Sequence, residues 1–361
     1  MFEDLKFDCR YFRGHIPCIP NKLRNKVCGN CDEYSPVSKR ILIIKLGAIG
    51  DVIRTTPLAV RFKKIYPECH ITWLTHSPDV LPADLIDVIL KFDFPSVYAV
   101  QHQIFDIAIN LDKETEACSL LKDIDAKQKF GFTWQNSHIA LATPQAEHKL
   151  ITGLFDNISK TNTKNYLEEI FEICHLNFEG EPYVLNFNKA LAEKWKVIKE
   201  KAGEKKAVGL NTGCGKRWQT RLWPDDYWLM LIEGLKQNNL FPVLLGGADE
   251  HEKNLVLEAA SGAFYPGHYS LQEFISLTSN CDVIVTQVSM MMHIAMGLHK
   301  PLVLMNNIFN PHEFYLYNNG VILGPESGCD CYYGNTCKRE RHCMLDLTPQ
   351  KVLEQVIMLS K

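Results

Sequence analysis

The stretch that decides the fold runs Arg40-Ile41-Leu42-Ile43-Ile44-Lys45-Leu46-Gly47-Ala48-Ile49-Gly50-Asp51-Val52-Ile53-Arg54-Thr55-Thr56-Pro57. Ile41 to Ile44 is a continuous aliphatic run, the mark of a strand buried on both faces. Gly47 and Gly50 bracket a tight turn. A helical apolar pattern follows through Val52, Leu58, Ala59, Phe62 and Ile65. Strand, glycine turn and helix open an α/β nucleotide-type unit, but the glycines are spaced G-x-x-G, which is not the dinucleotide fingerprint. Asp51 falls where the turn enters the helix, at the carboxyl end of the strand, where open α/β sheets hold their ligands. A helix cap explains the same residue, and both readings stand at this point.

At 361 residues the chain suits two domains. With 46% hydrophobic and 22% charged residues it has the composition of an ordinary globular protein. A net charge of -3 gives no reason to expect nucleic acid as a partner. No apolar run reaches the roughly 18 residues that span a bilayer. The acidic start, Met1 to Asp8, is not a secretory signal, so a cytoplasmic protein is expected. In that compartment thirteen cysteines suggest metal ligands or free thiols before disulfides.

Residues 1–38 form a cysteine-rich segment, Cys9-x8-Cys18-x9-Cys28-x2-Cys31, without helical or strand periodicity. Four thiols can complete a tetrahedral shell, so Cys9, Cys18, Cys28 and Cys31 are a candidate metal site, with free thiols as the alternative. From 39 to 187 strands (Ile71 to Leu74, Asp106 to Leu111) alternate with helices (Tyr166 to Cys174), which predicts a parallel sheet covered on both faces. His76 and Asp112 fall just past strand ends and read as turn residues. Asn186 to Lys206 is a charged linker. The second unit, 188–347, repeats the architecture, with strands at Val208 to Asn211, Pro242 to Leu245, Val283 to Val285 and Leu302 to Met305. Helices are expected over Pro224 to Gln237, Asp249 to Ser261 and Met291 to Gly297. Two such domains leave a cleft between the carboxyl ends of their sheets.

Four places in the second unit fall at strand ends. Asn211-Thr212-Gly213-Cys214-Gly215-Lys216-Arg217 leads to Arg221-Leu222-Trp223-Pro224; amides, Thr212 and the cations Lys216, Arg217 and Arg221 could hold a diphosphate. Gly246 to Glu252 carries acids able to bind ribose, with capping as an equal account of Asp249. Ser289 to His293 enters a helix, and Asn306 to Glu313 is a polar turn-rich loop. Near the end, Cys329-x-Cys331-x5-Cys337-x5-Cys343 reads as a thiolate knuckle for iron or zinc over 329–343. Residues 348–361 close the chain with a helix, Pro349 to Leu359.

From about residue 40 onward the chain resembles the family 9 glycosyltransferases, typified by the ADP-heptose:lipopolysaccharide heptosyltransferases. The motifs that carry the resemblance are Ile-Lys-Leu-Gly-x-x-Gly-Asp-Val-x-x-Thr-x-Pro and the Asn-Thr-Gly stretch leading to Arg221-x-Trp-Pro. The resemblance implies the GT-B fold, two Rossmann-like doubly wound domains facing across a cleft, with the nucleotide-sugar held mainly by the second. It implies Asp51 as catalytic base. Thr212, Gly213 and Arg221 would contact the donor diphosphate, and Glu252 the ribose, with Glu250 close by. Ser289, Met292 and His293 would line the donor loop. There the family pattern Asp-Ser/Thr-Gly-x-x-His is broken, because Val288 and Met290 replace the aspartate and the glycine. The region from Ser289 onward, with its four cysteines, is similar to the autotransporter heptosyltransferases, which modify serines of a protein and carry a four-cysteine iron site.

The expectation is therefore an inverting glycosyltransferase that needs no metal or other cofactor for its chemistry and uses ADP-heptose on a lipopolysaccharide core or related glycan. Structural iron or zinc would sit at the cysteine sites, and contact with the inner membrane would be peripheral. A protein O-heptosyltransferase and an inactive nucleotide-binding scaffold are the alternatives.

Overall fold

The computed structural model describes residues 2–361 of the chain. The first sheet contains β1 (Lys39–Ile44), β2 (Cys69–Thr75), β3 (Val88–Lys91), β4 (Ile104–Asn110), β5 (Asp125–Gln135) and β6 (His138–Leu141), in the order β3-β2-β1-β4-β5-β6. All its pairings are parallel except the β5–β6 hairpin. The second sheet contains β7 (Ala207–Asn211), β8 (Phe241–Leu245), β9 (Val283–Gln287), β10 (Leu302–Met305) and β11 (Gly320–Leu323), in the order β11-β10-β9-β7-β8 and parallel throughout. Strand order reverses between β1 and β4 in the first sheet and between β7 and β9 in the second. Such reversals open a crevice at the carboxyl ends of the strands.

The aliphatic run of β1 works as its composition requires. Successive side chains point to opposite faces of a strand. Ile41 and Ile43 accordingly enter one core, and Leu42 and Ile44 another. The core containing Ile41 continues through Tyr183, Leu185 and Trp195 into Met291, Ile294 and Ile308 of the second domain, so the two domains share apolar packing. A third core covers the outer face of the second sheet. The C-terminal helix Pro349–Leu359 belongs to it: Leu353 lies against Gly234 in the helix Asp225–Gln237. No helix among the described residues is long and apolar enough to cross a membrane.

Some boundaries differ from the sequence reading. The helical pattern after Gly50 is two helices, Ile49–Ile53 and Thr56–Ile65, separated by Arg54 and Thr55. Pro57 falls in the first turn of the second helix, where its missing N–H has no helical partner to lose. The sequence reading did not mark β3, β5, β6 and β11. The first half of β5 is polar and largely exposed, and only Phe130, Phe132 and Trp134 alternate in its second half.

Candidate active site

Asp51 lies in the first turn of Ile49–Ile53, just past β1 at the reversal point of the first sheet. Ala48, not Asp51, is the cap of that helix, so the cap reading is withdrawn. The Asp51 carboxylate instead meets Arg54 Nη2 at 2.9 Å, with 35% of its side chain open. Burial alone would raise its pKa. Arg54 first, then Lys45, outweigh that effect and hold the carboxyl below its ordinary range, so it is ionised at neutral pH. Arg54 is held in turn by Glu313 of the second domain at 2.8 Å and stacks 3.5 Å from the centroid of the Tyr166 ring.

Asp112 has a larger role than a turn residue. It is buried, takes an ion pair from Lys45, and accepts hydrogen bonds from the backbone N–H groups of Leu46 and Gly47, the latter at 3.2 Å. One carboxylate at the end of β4 thus fixes the glycine turn at the end of β1. Gly50 is required by close approach: a Cβ there would lie 2.5 Å from Cδ2 of His293. His293, on the second-domain helix Met290–Gly297, is buried beside the Asp51 turn and stacks on Tyr183. Its Nδ1 has no hydrogen-bond partner among the described residues. Burial, then Arg54, lowers its pKa to about 3, so the ring is neutral.

Across from this wall, Ile49 of the first domain joins Gly213, Gly247, Glu250, Ser289 and Met290 around a cavity of about 410 Å³. Ser289 sits at the start of Met290–Gly297 and hydrogen-bonds Thr286 and Asn211. Glu250 accepts from the Gly247 N–H at 2.9 Å, and its carboxylate lies so close over Gly213 that a Cβ there would be 1.9 Å from it.

The sequence-predicted donor residues divide. Gly213 and Ser289 line the cavity. Thr212 is fully buried and gives its hydroxyl proton to Asn254 at 2.6 Å. Arg221 is buried and spends its donors on three carbonyls, those of Trp218 (3.1 Å), Val288 and Cys214. It braces the loop rather than facing the cavity. Lys216 and Arg217 are the exposed cations of that loop; Lys216 pairs with Asp249 at 2.8 Å and Arg217 lies over Trp218. Glu252 is exposed on the helix His251–Ser261, whereas Glu250 is on the cavity wall. Met292 is buried in the shared core.

The C-terminal cysteines gather behind this loop. Cys329 meets the thiol of Cys343, and Cys337 that of Cys331. Asn307 donates to Sγ of Cys343 (3.5 Å) and to the Thr220 carbonyl (2.8 Å), while the Thr220 hydroxyl donates to the Gly334 carbonyl at 2.9 Å. No three Cys, His, Asp or Glu side chains among the described residues are grouped as ligands of one metal ion. The thiols meet in pairs rather than in the closed four-sulfur shell that the sequence suggests. Tyr333, within the knuckle, donates to Glu313 at 3.1 Å, so a continuous chain of contacts runs from the cysteines through Glu313 and Arg54 to Asp51.

Sequence reasoning missed Lys45, Arg54 and Tyr166 as members of the site, and had Glu250 only as the neighbour of Glu252. Lys45 and Arg54 do flank the glycine turn, and a charge next to a buried strand was the available signal. Glu313 closes the strand-end loop that the sequence does mark, but nothing local shows that it reaches Arg54 from 259 positions away.

The family model of glycosyltransferase family 9 (heptosyltransferase) matches residues 97–330. Lipopolysaccharide heptosyltransferase 2 of Salmonella typhimurium is 29% identical over 161 residues, a stretch covering 41% of this chain and 44% of that protein. The match therefore spans less than half the length of this relative. Among solved structures, a glycosyltransferase family 9 protein from Veillonella parvula superposes with a TM-score of 0.70 at 16% identity, over 90% of this chain and 97% of the other. The dodecameric iron-containing heptosyltransferase TibC of enterotoxigenic E. coli, solved in complex with ADP-D-beta-D-heptose, gives a TM-score of 0.57 at 15% identity over 89% and 76%. At these identities the likeness is one of fold, the GT-B arrangement.

Proposed function

The chain belongs to glycosyltransferase family 9 (heptosyltransferase), and from that premise we propose that it transfers heptose from ADP-heptose to a hydroxyl of a lipopolysaccharide core or related glycan, with inversion. The observation that carries the reading is Asp51: ionised, a third open, and in the same short helix as Ile49, which lines the Gly213–Ser289 cavity. Asp51 takes the proton of the acceptor hydroxyl as that oxygen bonds to the anomeric carbon. The bond from the anomeric carbon to the β-phosphate oxygen breaks on the opposite face, and ADP leaves. Arg54 keeps Asp51 charged and aimed, and neutral His293 closes the seam without competing for the proton.

On the donor side, backbone N–H groups at Gly213 and at the start of Met290–Gly297 face the growing diphosphate charge, and the exposed Lys216 and Arg217 can exchange their surface contacts with Asp249 and Trp218 for it. Glu250 is the better placed acid for the ribose hydroxyls, and Arg221 holds the loop that presents these groups. This cation and amide set supplies the charge stabilisation the departing ADP needs.

Cys329, Cys331, Cys337 and Cys343 form a donor set suited to iron or zinc, and four thiols within fifteen residues of one loop support a bound ion of structural role once the two pairs close on it. Through Tyr333 and Glu313 that ion would stiffen the wall carrying Arg54. The same cysteines favour a second reading for the acceptor, a serine of a surface protein in place of a glycan. The test is turnover of ADP-heptose with a truncated lipopolysaccharide core and, separately, with serine-rich passenger protein, followed by mass spectrometry. A mass increase of one heptose on either acceptor supports transfer and names the acceptor. No product on both, with ADP bound normally, would leave a nucleotide-binding scaffold.

A further inference from the structure

The N-terminal segment is built the wrong way round for a segment that folds on apolar contacts. Of residues 3–38 only Pro20 is buried, and no residue of the segment belongs to any of the three cores. Ile16, Leu23 and Val27 are exposed, while all four cysteines are half-buried. Cys9, Cys18, Cys28 and Cys31 line one cavity of about 840 Å³, together with the half-open apolar groups Ile16 and Val27, and it has twice the volume of the one in the cleft. Ion pairs tie the walls together, Arg24 to Glu33 at 2.5 Å and Lys26 to Asp32 at 2.8 Å, with Tyr34 donating to Asp8. Exposed pairs of this kind contribute little, so they do not account for the order of so irregular a segment.

We propose that Cys9, Cys18, Cys28 and Cys31 hold an iron–sulfur cluster in this cavity. Four thiolates are the ligand set of such clusters. A single tetrahedral ion needs its sulfurs to converge on one point, and no three of these thiols do so. A cluster instead spreads its thiolates over separate metal corners, as a wide cavity with thiols on its walls allows. Lys6 and Arg13 also line the cavity, complementing the negative charge that four thiolates bring. The cluster supplies the internal contacts that the apolar side chains do not, so binding and ordering of the segment are one event.

The segment is joined to the amino ends of the first sheet. Arg10 pairs with Asp87 and donates to the Cys69 carbonyl at 3.2 Å, and Ser38 N–H bonds the Glu68 carbonyl. Asp51 lies at the opposite, carboxyl end of that sheet. The cluster is therefore a structural group of the segment, outside the reaction centre and separate from the C-terminal cysteines.

The experiment is iron and acid-labile sulfide analysis of the full chain purified anaerobically without chelator, with Mössbauer spectra. Inorganic sulfide is the discriminating readout, because an all-thiolate ion site such as that available at residues 329–343 contains none. The expected result is sulfide present together with iron, both lost in Cys28→Ser/Cys31→Ser, the sulfide kept in Cys337→Ser, and ADP affinity unchanged in the first variant. Should that variant fail to fold, the wild-type measurements still decide: cluster-type Mössbauer parameters with sulfide support the proposal. Absence of sulfide, zinc in place of iron, disulfides among these four cysteines, or sulfide that follows Cys337 instead of Cys28 would overturn it.

Discussion

The two walls of the cleft use charge in opposite ways. On the first-domain wall the charged groups hold one another: Lys45 with Asp112, Arg54 with both Asp51 and Glu313. One carboxylate in this network stays a third open. On the second-domain wall a buried cation, Arg221, is bonded to main-chain carbonyls, and Lys216 and Arg217 lie on an exposed glycine-rich loop, Lys216 paired with Asp249 and Arg217 over Trp218. The first wall is set before a ligand arrives and suits a group that must meet a hydroxyl in one geometry. The second has glycine backbone at the cavity and solvent-exposed cations on the same loop, which suits a nucleotide that must enter and leave. A buried charge builds structure, and an exposed one is available for binding.

That contrast breaks first at Asp112. Asp112→Ala leaves Lys45 buried without its partner and frees the turn at Leu46 and Gly47, and is expected to cost about 3–5 kcal/mol of stability. Urea unfolding measures it; a loss under about 1 kcal/mol would mean that the pair does not set the turn.

Arg221→Ala sharpens the contrast on the other wall. It orphans buried carbonyls at about 1–3 kcal/mol each, so stability and ADP affinity should fall together. Weaker ADP binding at unchanged stability would make Arg221 a ligand contact and erase the difference between the walls.

Glu250→Gln should weaken ADP binding by about 1.5–3 kcal/mol, the worth of a hydrogen bond to a charged group, while Glu252→Gln leaves it unchanged. Titration calorimetry on the pair decides which acid faces the nucleotide, and the reverse order would restore Glu252 to the site.

The seam between the walls carries a pH dependence. His293 titrates near 3 in the folded protein because burial disfavours the charged ring. The unfolded chain, with an ordinary histidine pKa near 6.5, binds the proton between those values, so stability falls as pH drops through that window. This one group contributes a slope of up to about 1.4 kcal/mol per pH unit, fully developed about a unit below 6.5. Comparing denaturant midpoints at pH 7 and pH 5 for wild type and His293→Gln isolates it; equal slopes would place His293 in water.

Much of this was legible in the sequence. The β1 run and its glycine turn placed Asp51 at a strand end, because a strand buried on both faces admits few other readings. The second-domain strands β7 to β10 and the loop from Asn211 to Trp223 were found for the same reason, whereas the edge strand β11 was not. The orientation of side chains on that loop was not. Composition shows three cations after glycines, and only the fold shows that Arg221 turns inward to carbonyls while Lys216 and Arg217 stay outside. Glu250 and Glu252 differ by two positions, and the short turn Ala248–Glu250 before the helix decides which of them points to the cavity. Arg54–Glu313 depends on domain packing, which has no local signature.

The central claim is that Asp51 acts as base on a wall that does not bind the nucleotide. Single-turnover transfer by Asp51→Asn, measured beside ADP affinity in the same preparation, tests it most directly. The rate should fall by about 100- to 10,000-fold, the usual loss on removing a general base, with ADP affinity within a few-fold of wild type. Near-normal transfer, or a loss of ADP binding that matches the loss of rate, would contradict the account.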